Sequence, residues 1–268
     1  MANADPLLVL IDIGGSGIRA VARRNGSFGE IRRFNADSYK GFVEIIRKMC
    51  GAGKPYGIAL SVAGFVNAET GRILLSKCAP YLEGDIVSRL RTDFPYARVA
   101  VMNDGEAHAR TLLLPEQDVR LGAIHLALGT SVSFGVINEK REIVRTCGGE
   151  NWDIGNLRIR TREAPYTVWD KLGSSGLAEL ERNRAIPDPY LYFGNRLGSL
   201  LIDLSEIFRP RTIGLSGGII RGHGARIEEG IRQEWQAQDF KGPVAGEPID
   251  IVRTERPETL FRALAALF

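Results

Sequence analysis

One pattern of elements constrains the fold of this chain more than any other feature, because it occurs twice. In the first copy, an apolar run at 7–13 (LLVLIDI) ends at a pair of glycines and is followed by an alternating segment at 18–24 (IRAVARR). A short third segment and a helical pattern at 38–50 complete this copy. A continuous apolar run rich in β-branched residues predicts a buried strand, and alternation with a period of two predicts its hairpin partner.

The second copy occupies residues 121–182. Its first predicted strand, at 121–128, ends at Gly129-Thr130, and a hairpin partner, a third strand and a helix follow. The two copies have no obvious sequence similarity, and no low-complexity linker separates them. The pattern therefore predicts an α/β protein with two structurally duplicated lobes joined by a short hinge near residues 104–120. A later helix is predicted to begin near Arg226.

Composition excludes several classes of protein. Of the 268 residues, 44% are hydrophobic and 25% are charged, which is the range of an ordinary globular protein. The net charge of +3 is too small to indicate a nucleic-acid-binding surface. No apolar run approaches the roughly 20 residues of a membrane-spanning helix. We expect neither nucleic acid nor a membrane as a partner.

The cysteines bear on metal binding and on compartment. Cys50, Cys78 and Cys147 are scattered, histidine is scarce, and no C-x-x-C motif occurs. A zinc site or a disulfide framework is therefore not expected. Reduced cysteines, and first residues without a signal-peptide pattern, predict a cytoplasmic protein.

The segment 12–17 (DIGGSG) is the first candidate for a phosphate site. Asp12 ends a predicted buried strand, and Gly14, Gly15 and Ser16 form the turn. Glycines let backbone N–H groups approach phosphate oxygens, and the carboxylate can hold Mg²⁺, usually through water. The alternative is a plain tight turn. A Walker A loop is absent from the sequence, and the turn lacks the third glycine and the helix of a dinucleotide fingerprint.

A second candidate phosphate turn, made of Gly129, Thr130 and Ser131, has the equivalent place in the second copy. A hydroxyl group together with turn amides would suit a second phosphate. A β-turn alone explains this segment equally well. Two such turns at equivalent places nevertheless predict a phosphate clamp across a cleft between the lobes.

The third candidate is the pair Asn103-Asp104, which ends a predicted strand and opens a helix. Helix capping would account for both residues, since Asn and Asp are favoured caps. The functional interpretation is an Asn amide that binds a sugar hydroxyl and an Asp that accepts the proton of the attacking hydroxyl.

The segment 214–218 (GLSGG) formally matches the nucleophile elbow of hydrolases. That motif needs a downstream acid and then a histidine, whereas His223 follows Ser216 too closely, with no acid between them. The better interpretation is that Gly217 and Gly218 form a turn under a nucleotide, or simply a strand-to-helix turn.

Taken in order, these motifs resemble those of the ROK sugar kinases of the actin–hexokinase–Hsp70 superfamily. The resemblance runs from residue 7 to the end of the chain, and the order of the motifs is more specific than any one of them. The matching segments are Asp12–Ser16 for the first phosphate motif, Gly64–Asn67 with Gly71 for the PGPVD…G segment, Asn103-Asp104 for the sugar-and-base pair, Leu128–Thr130 for the second phosphate motif and Leu215–Gly218 for the adenosine motif.

The resemblance implies an α/β fold with two ribonuclease H-like lobes and a cleft between them. A small N-terminal lobe would comprise residues 1–110 plus a closing helix at 257–268, and a larger C-terminal lobe would comprise 111–256. The resemblance also implies transfer of a phosphoryl group from ATP or polyphosphate to a hexose, most simply to the 6-OH of glucose. Asp104 would be the catalytic base, Asp12 would hold Mg²⁺, and the protein would be a homodimer.

Within the family, the chain looks most similar to the zinc-free polyphosphate/ATP glucokinases, whose first motif also has the form Gly-Gly-Ser-Gly-Ile followed by a basic residue. Three predicted sugar contacts are not those of the usual family motif. The usual E-x-G-H becomes Asp153-Ile-Gly-Asn156, and Glu150, in Gly148-Gly-Glu where the family often has A-G-E, is an alternative carboxylate for the same contact. With Gly64, these residues are the predicted sugar-binding set beside Asn103 and Asp104.

The second phosphate loop also departs from the family. It reads G-T-S-V-S-F-G instead of G-T-G-x-G-x-G, so side chains such as that of Ser131 occupy positions where bare backbone is usual. These departures support an alternative function, a sugar sensor on the same fold that binds but does not turn over. The presence of Asp12, Asp104 and Thr130 favours an enzyme.

Overall fold

The computed structural model describes residues 6–160, 165–242, 247–254 and 256–268. The chain divides into two compact units. The first comprises Met1–Arg110, Arg145–Asn151 and Pro257–Phe268, and the second comprises Thr111–Val144 and Trp152–Arg256. The segment Arg145–Asn151 lies inside the predicted C-terminal lobe but belongs to the first unit. The parts of the predicted lobes at 1–5, 161–164, 243–246 and 255 lie outside the described residues.

The described strands of the first unit form a mixed main sheet and a small antiparallel sheet. They are β1 (Leu8–Gly14), β2 (Gly17–Arg24), β3 (Ser27–Phe28), β4 (Arg32–Phe34), β5 (Gly57–Val62), β6 (Phe65–Asn67), β7 (Arg72–Leu75), β8 (Gly84–Asp85) and β9 (Arg98–Asn103). The main sheet has the order β3-β2-β1-β5-β9, with β4 also paired with β2, and the small sheet has the order β6-β7-β8.

The register of this main sheet positions the candidate site. β1 is antiparallel to β2 and parallel to β5, and β5 is parallel to β9. Asp12 is therefore level with Ser61 and, one strand further, with Met102. The carboxyl ends of parallel strands meet at one edge of a sheet, so the segments that follow β1, β5 and β9 emerge at the same edge.

The second unit repeats this topology. Its strands are β10 (Ala123–Leu128), β11 (Val132–Ile137), β12 (Ile143–Val144), β13 (Arg158–Arg160), β14 (Pro165–Thr167), β15 (Thr212–Ser216) and β16 (Asp250–Thr254). The main sheet has the order β12-β11-β10-β15-β16, with β10 antiparallel to β11 and parallel to β15. When β4 is left aside, the five remaining strands of the first sheet and the five of the second both follow the order third, second, first, fourth, fifth, which confirms the predicted duplication.

The helices pack apolar faces on these sheets. Those of the described residues are α1 (Tyr39–Cys50), α2 (Ile86–Asp93), α3 (Asp104–Ala109), α4 (Val168–Leu172), α5 (Ser174–Arg182), α6 (Pro189–Phe208), α7 (Gly218–Ala237) and α8 (Pro257–Ala265). α1, which confirms the helix predicted at 38–50, buries Phe42 and Ile46 and is capped by Ser38. No described helix is long and apolar enough to cross a membrane.

The start of α7 differs from the prediction. The helix begins at Gly218, not near Arg226. The glycines in this stretch have poor helix propensity, but glycine also permits close packing of α7 against α6. A Cβ atom at Gly194 would overlap the carbonyl oxygen of Ile227, and one at Gly230 would overlap that of Leu191. Tertiary packing therefore determines this helix more than local propensity does.

Candidate active site

The carboxylate of Asp12 lies at the end of β1 and is only 6% exposed. Arg19, its partner across the strand pair, donates to Oδ2 from Nη2 at 2.6 Å and from Nε at 3.0 Å. Ser61 donates to Oδ1 from its hydroxyl at 2.7 Å. A buried carboxylate needs such partners, because desolvation of an unpaired charge is costly. Asp12 is thus one half of a buried ion pair beneath the glycine turn.

These contacts bear on the predicted Mg²⁺ site. Both oxygens of Asp12 already accept hydrogen bonds, and the adjacent guanidinium repels a second cation. Within the described ranges, no group of three or more His, Cys, Asp or Glu residues could hold a metal ion. The side chains present do not fit a metal bound directly by Asp12.

A cavity of about 500 Å³ in the first unit adjoins the turn of Gly14, Gly15 and Ser16. Its other walls include Lys77, Cys78 and Tyr81, together with Asn35. A Cβ atom at Gly14 would meet nothing within 4 Å, so the turn presents backbone to open space. The turn therefore has the form of a cradle for an anion.

Sequence reasoning missed Lys77, Cys78 and Tyr81. Lys77 and Cys78 lie in the loop after β7 and Tyr81 in the 3-10 turn Pro80–Leu82 that follows it; this stretch carries no motif, and only the fold brings these residues to the turn. Cys78 is exposed at the surface, but the protein around it still desolvates the thiol enough to raise its pKa, and the nearby Asp104 carboxylate raises it further. Burial likewise raises the pKa of the Tyr81 hydroxyl. At neutral pH both groups are therefore held in their protonated forms, which can donate hydrogen bonds.

Asn103 joins two of the segments at this edge. Its Oδ1 accepts from the N–H of Gly105 at 2.7 Å, which caps α3, and its Nδ2 donates to the carbonyl of Gly64 at 2.8 Å. Gly64 has φ +148°, and a Cβ atom there would overlap the carbonyl oxygen of Leu75. The side chain of Asn103 is thus engaged within the protein, and the residue is 4% exposed.

Asp104 is the first residue of α3 and is half-buried. Its Oδ1 accepts from Asn103 Nδ2 at 3.0 Å and from the N–H of Gly105 at 3.1 Å. Two donors fix the orientation of this carboxylate at the edge of the sheet where the glycine turn also lies. A positioned, partly exposed carboxylate can accept a proton from a bound hydroxyl.

Glu150 belongs to the segment Arg145–Asn151 and therefore to the first unit, as Asp104 does. Its Oε2 accepts from the hydroxyl of Thr146 at 3.0 Å, and its backbone forms an isolated bridge with Asn67. The next residue, Asn151, accepts from the N–H of Val66 at 2.9 Å. The segment is thus attached to β6.

Asp153 and Asn156 lie in the second unit. Asn156 donates to Asp153 Oδ2 from Nδ2 at 2.5 Å and to Oδ1 from its backbone N–H at 3.3 Å. The two departures from the family motif are therefore hydrogen-bonded to each other. This pairing occupies one oxygen of Asp153 with a side-chain amide.

The second glycine turn follows β10 in the second unit and is tethered on both sides. The carbonyl of Gly129 accepts from the N–H of Ser174, the first residue of α5, at 2.9 Å. The N–H of Gly129 donates to the carbonyl of Ser131 at 3.0 Å. The indole of Trp169 donates to the carbonyl of Thr130 at 2.9 Å. The Thr130 side chain is exposed, so its hydroxyl is accessible to a ligand.

Gly217 and Gly218 open α7 next to this turn, since β10 and β15 are paired in parallel. Gly217 has φ +99°, and a Cβ atom there would overlap the backbone of Leu128. At Gly218 a Cβ atom would meet nothing within 4 Å. α7 has no side-chain cap, so its first N–H groups are available to an acceptor.

The structure therefore gathers the predicted residues into two groups. The first unit holds Asp12, Gly14, Gly15, Ser16, Gly64, Asn103, Asp104 and Glu150. The second unit holds Gly129, Thr130, Ser131, Asp153, Asn156, Gly217 and Gly218.

This chain has the fold of solved structures of ROK family proteins. A ROK family protein from Streptococcus pneumoniae, in complex with sucrose, is 18% identical, with a TM-score of 0.78 and coverage of 97% of each chain. A ROK family glucokinase from Streptomyces griseus, in complex with glucose and AMPPNP, is 16% identical, with a TM-score of 0.74 and coverage of 97% of this chain and 98% of that one.

A third match is not a kinase. It is a ROK family transcriptional regulator, a homologue of the E. coli MLC protein, with 15% identity, a TM-score of 0.79 and coverage of 97% of this chain and 77% of that one. No protein-family profile and no curated protein sequence matches this chain. The solved structures thus establish the fold, which both kinases and a regulator use.

Proposed function

We propose that this chain is a ROK-type sugar kinase that transfers a phosphoryl group from ATP or polyphosphate to a hydroxyl of a hexose, most simply the 6-OH of glucose. One observation carries the proposal. The oriented carboxylate of Asp104 and the open glycine turn after β1 share one edge of the same sheet. A positioned base beside an amide-lined anion cradle is what phosphoryl transfer to a hydroxyl requires.

In this mechanism the protein contributes position and charge. Asp104 accepts the proton of the attacking hydroxyl late in the transfer, when the loose transition state collapses. The amides of the turn at Gly14–Ser16 hold the transferred phosphoryl group, and Lys77 at the wall of the cavity supplies positive charge. Arg19 neutralises Asp12, so this carboxylate does not repel the phosphate.

The second unit would hold the phosphoryl donor. The hydroxyl of Thr130 and the first N–H groups of α7 offer hydrogen bonds to phosphate oxygens, and the open space at Gly218 leaves room for the donor. The glucokinase with the same fold was solved with glucose and AMPPNP, which supports a hexose as acceptor and a nucleoside triphosphate as donor.

The second candidate function is a sugar sensor that binds without turnover. The pairing of Asp153 with Asn156 favours it, because a carboxylate engaged by a neighbouring amide is less available to a sugar hydroxyl. The shared fold of a transcriptional regulator also supports it. The engaged, oriented carboxylate of Asp104 favours the kinase.

A coupled assay over a panel of hexoses, with ATP and polyphosphate tested in parallel, separates the two functions. The kinase proposal expects turnover of at least one sugar, and turnover should be lost in the Asp104→Asn variant prepared in the same way, which controls for contaminating kinases. Sugar binding detected by calorimetry without turnover by any donor would favour the sensor and overturn the kinase.

We also propose that the protein acts in the cytoplasm as a homodimer. The three free cysteines suit a reducing compartment, and the dimer rests on the family resemblance. Light scattering of the purified protein measures the mass directly, and a monomer at micromolar concentration would contradict the dimer.

The sugar site is expected to bind glucose less tightly than a site with the usual Glu and His. Restoring both residues, Asp153→Glu with Asn156→His, should lengthen the carboxylate by about 1.5 Å and break the present pairing. A regained hydrogen bond to the charged carboxylate contributes about 1.5–3 kcal/mol, so the KM for glucose should fall roughly 10- to 150-fold. The measurement is glucose KM at saturating donor.

The single variant Asn156→His serves as the matched control, because it removes the amide partner without lengthening the carboxylate. An unchanged KM in the double variant, or a wild-type KM in the low micromolar range, would show that other residues make these contacts.

A further inference from the structure

A buried ion pair lies beside the proposed base. Glu106 is two residues beyond Asp104 on α3 and is only 2% exposed. Arg145 donates to its Oε1 from Nε at 2.7 Å and to its Oε2 from Nη2 at 3.4 Å. This two-point contact fixes the guanidinium plane against the carboxylate.

Arg145 also faces a second carboxylate, and the two contacts differ in kind. Its Nη1 lies 3.5 Å from Oε1 of Glu69, whose side chain is 70% exposed. Exposed, distant pairs of this type contribute little to stability. The side chain of Glu106 is 3% exposed, so its charge depends on partners inside the protein. The functional contact of Arg145 is therefore the one with Glu106.

Arg110 is the other cation that acts on Glu106. Burial lowers the pKa of Arg110, and the charge of Glu106 opposes that effect. The charge of Arg145 lowers the pKa of Arg110 further. The hydrogen-bonded partner of Glu106 is Arg145.

The place of Arg145 in the chain gives this ion pair its significance. The chain leaves the second unit after Val144, joins the first unit for Arg145–Asn151, and returns to the second unit at Trp152. Arg145 is the first residue of this excursion, and Asn151, the last, accepts from the N–H of Val66 at 2.9 Å. The segment is therefore attached at both ends.

Between the two attachments lies Glu150. The carbonyl of Glu150 accepts from the N–H of Thr146 at 3.0 Å, and its Oε2 accepts from the Thr146 hydroxyl at 3.0 Å. These bonds make the segment a closed turn and are internal to it. The backbone of Glu150 is also bridged to Asn67 on β6, whose Nδ2 donates to the carbonyl of Gly148 at 3.3 Å. What attaches the first end of the turn to α3 is the bond between Arg145 and Glu106.

We propose that Glu106 and Arg145 are positioning residues, which lock the segment Arg145–Asn151 onto α3 and thereby hold Glu150 in a fixed place relative to Asp104. This assignment rests on the proposed function, since it is the hexose that Glu150 and Asp104 would share. Without the ion pair between Glu106 and Arg145, the segment Arg145–Asn151 can move while Asp104 stays in place. Sugar binding should then weaken more than the chemical step.

The kinetic test compares Arg145→Met and Glu106→Gln with Glu69→Gln, which removes only the exposed contact of the same arginine. In the first two variants the KM for the best sugar of the panel should rise roughly 2- to 30-fold, the range for a residue that acts through others, with kcat within about threefold. Glu69→Gln should leave both constants unchanged. Arg145→Lys keeps the charge but loses the two-point contact, so it should fold and show an intermediate KM.

The structural test does not need catalysis. Hydrogen–deuterium exchange of the full-length protein should become faster in 145–151 for Arg145→Met, Glu106→Gln and Arg145→Lys, while β1 stays protected as in the wild type. Faster exchange in this segment without kinase activity in the wild type would uphold the lock and overturn the proposed function. Unchanged exchange and an unchanged sugar KM in an active enzyme would overturn the lock alone.

Discussion

Replacing Asp104 by Asn is expected to lower kcat by roughly 10²–10⁴, the range for a positioned general base, while sugar binding is largely retained. The carboxylate oxygen that accepts from Asn103 at 3.0 Å and from Gly105 at 3.1 Å can be replaced by the amide oxygen of Asn. The substitution therefore keeps the size and the local hydrogen bonds but removes the basicity. Single-turnover rates and sugar binding by calorimetry measure the two effects separately.

A matched control exists in the same unit. Asp85 is the N-cap of α2, and its Oδ1 accepts from the N–H of Ser88 at 2.9 Å. Asn caps helices about as well as Asp, so Asp85→Asn should change neither stability nor kcat appreciably. If Asp104→Asn behaved in the same way as this control, Asp104 would be only a helix-capping residue and the central assignment would be wrong.

The sequence predicted those parts of the site that depend on neighbouring residues. The glycine turn after β1, its hairpin partner and the Asn103-Asp104 start of α3 all follow from strand periodicity, glycine conformational freedom and capping preferences. The recurrence of strand, glycine turn and hairpin partner in residues 7–50 and 121–182 was predicted from the same patterns. Each single turn or strand needed only a window of about ten residues, whereas the order of the strands in the sheets was not predicted.

Contacts between distant segments were not predicted. Ser61 donates to Asp12 across 49 positions, and Arg145 reaches Glu106 across 39. Nothing local to Lys77 indicates that it lies beside Gly14. Such contacts depend on strand register and on the path of the chain. Neither can be predicted from a single sequence that has no motif at those positions.

The segment Arg145–Asn151 is a second case in which contacts between distant residues were not predicted. The family resemblance implied that this segment belongs to the larger lobe, whereas it groups with the first unit. Its contacts with that unit include the bond of Arg145 to the buried Glu106 and the bond from Val66 to Asn151. Both are side-chain contacts with partners 39 and 85 positions away.

Alanine substitutions at three glycines of the second unit are expected to separate a structural role from a ligand-binding role. Gly217→Ala should destabilise the protein by about 2–4 kcal/mol, because φ +99° disfavours a side chain and the Cβ atom would overlap the backbone of Leu128. Gly218→Ala should fold normally, since nothing lies within 4 Å of its Cβ position. Thermal and denaturant unfolding measure this difference.

Activity should follow a different order from stability. If the donor phosphates approach the first turn of α7, a methyl group at position 218 displaces them, and kcat/KM for the donor should fall on the order of 10²-fold. Gly222→Ala is the matched control, because it adds the same atom one turn later on α7 with nothing within 4 Å. That variant should gain up to about 1 kcal/mol of helix stability and keep full activity. Equal activities of the two variants at 218 and 222 would mean that no donor approaches α7, and the donor half of the proposed site would have to lie elsewhere.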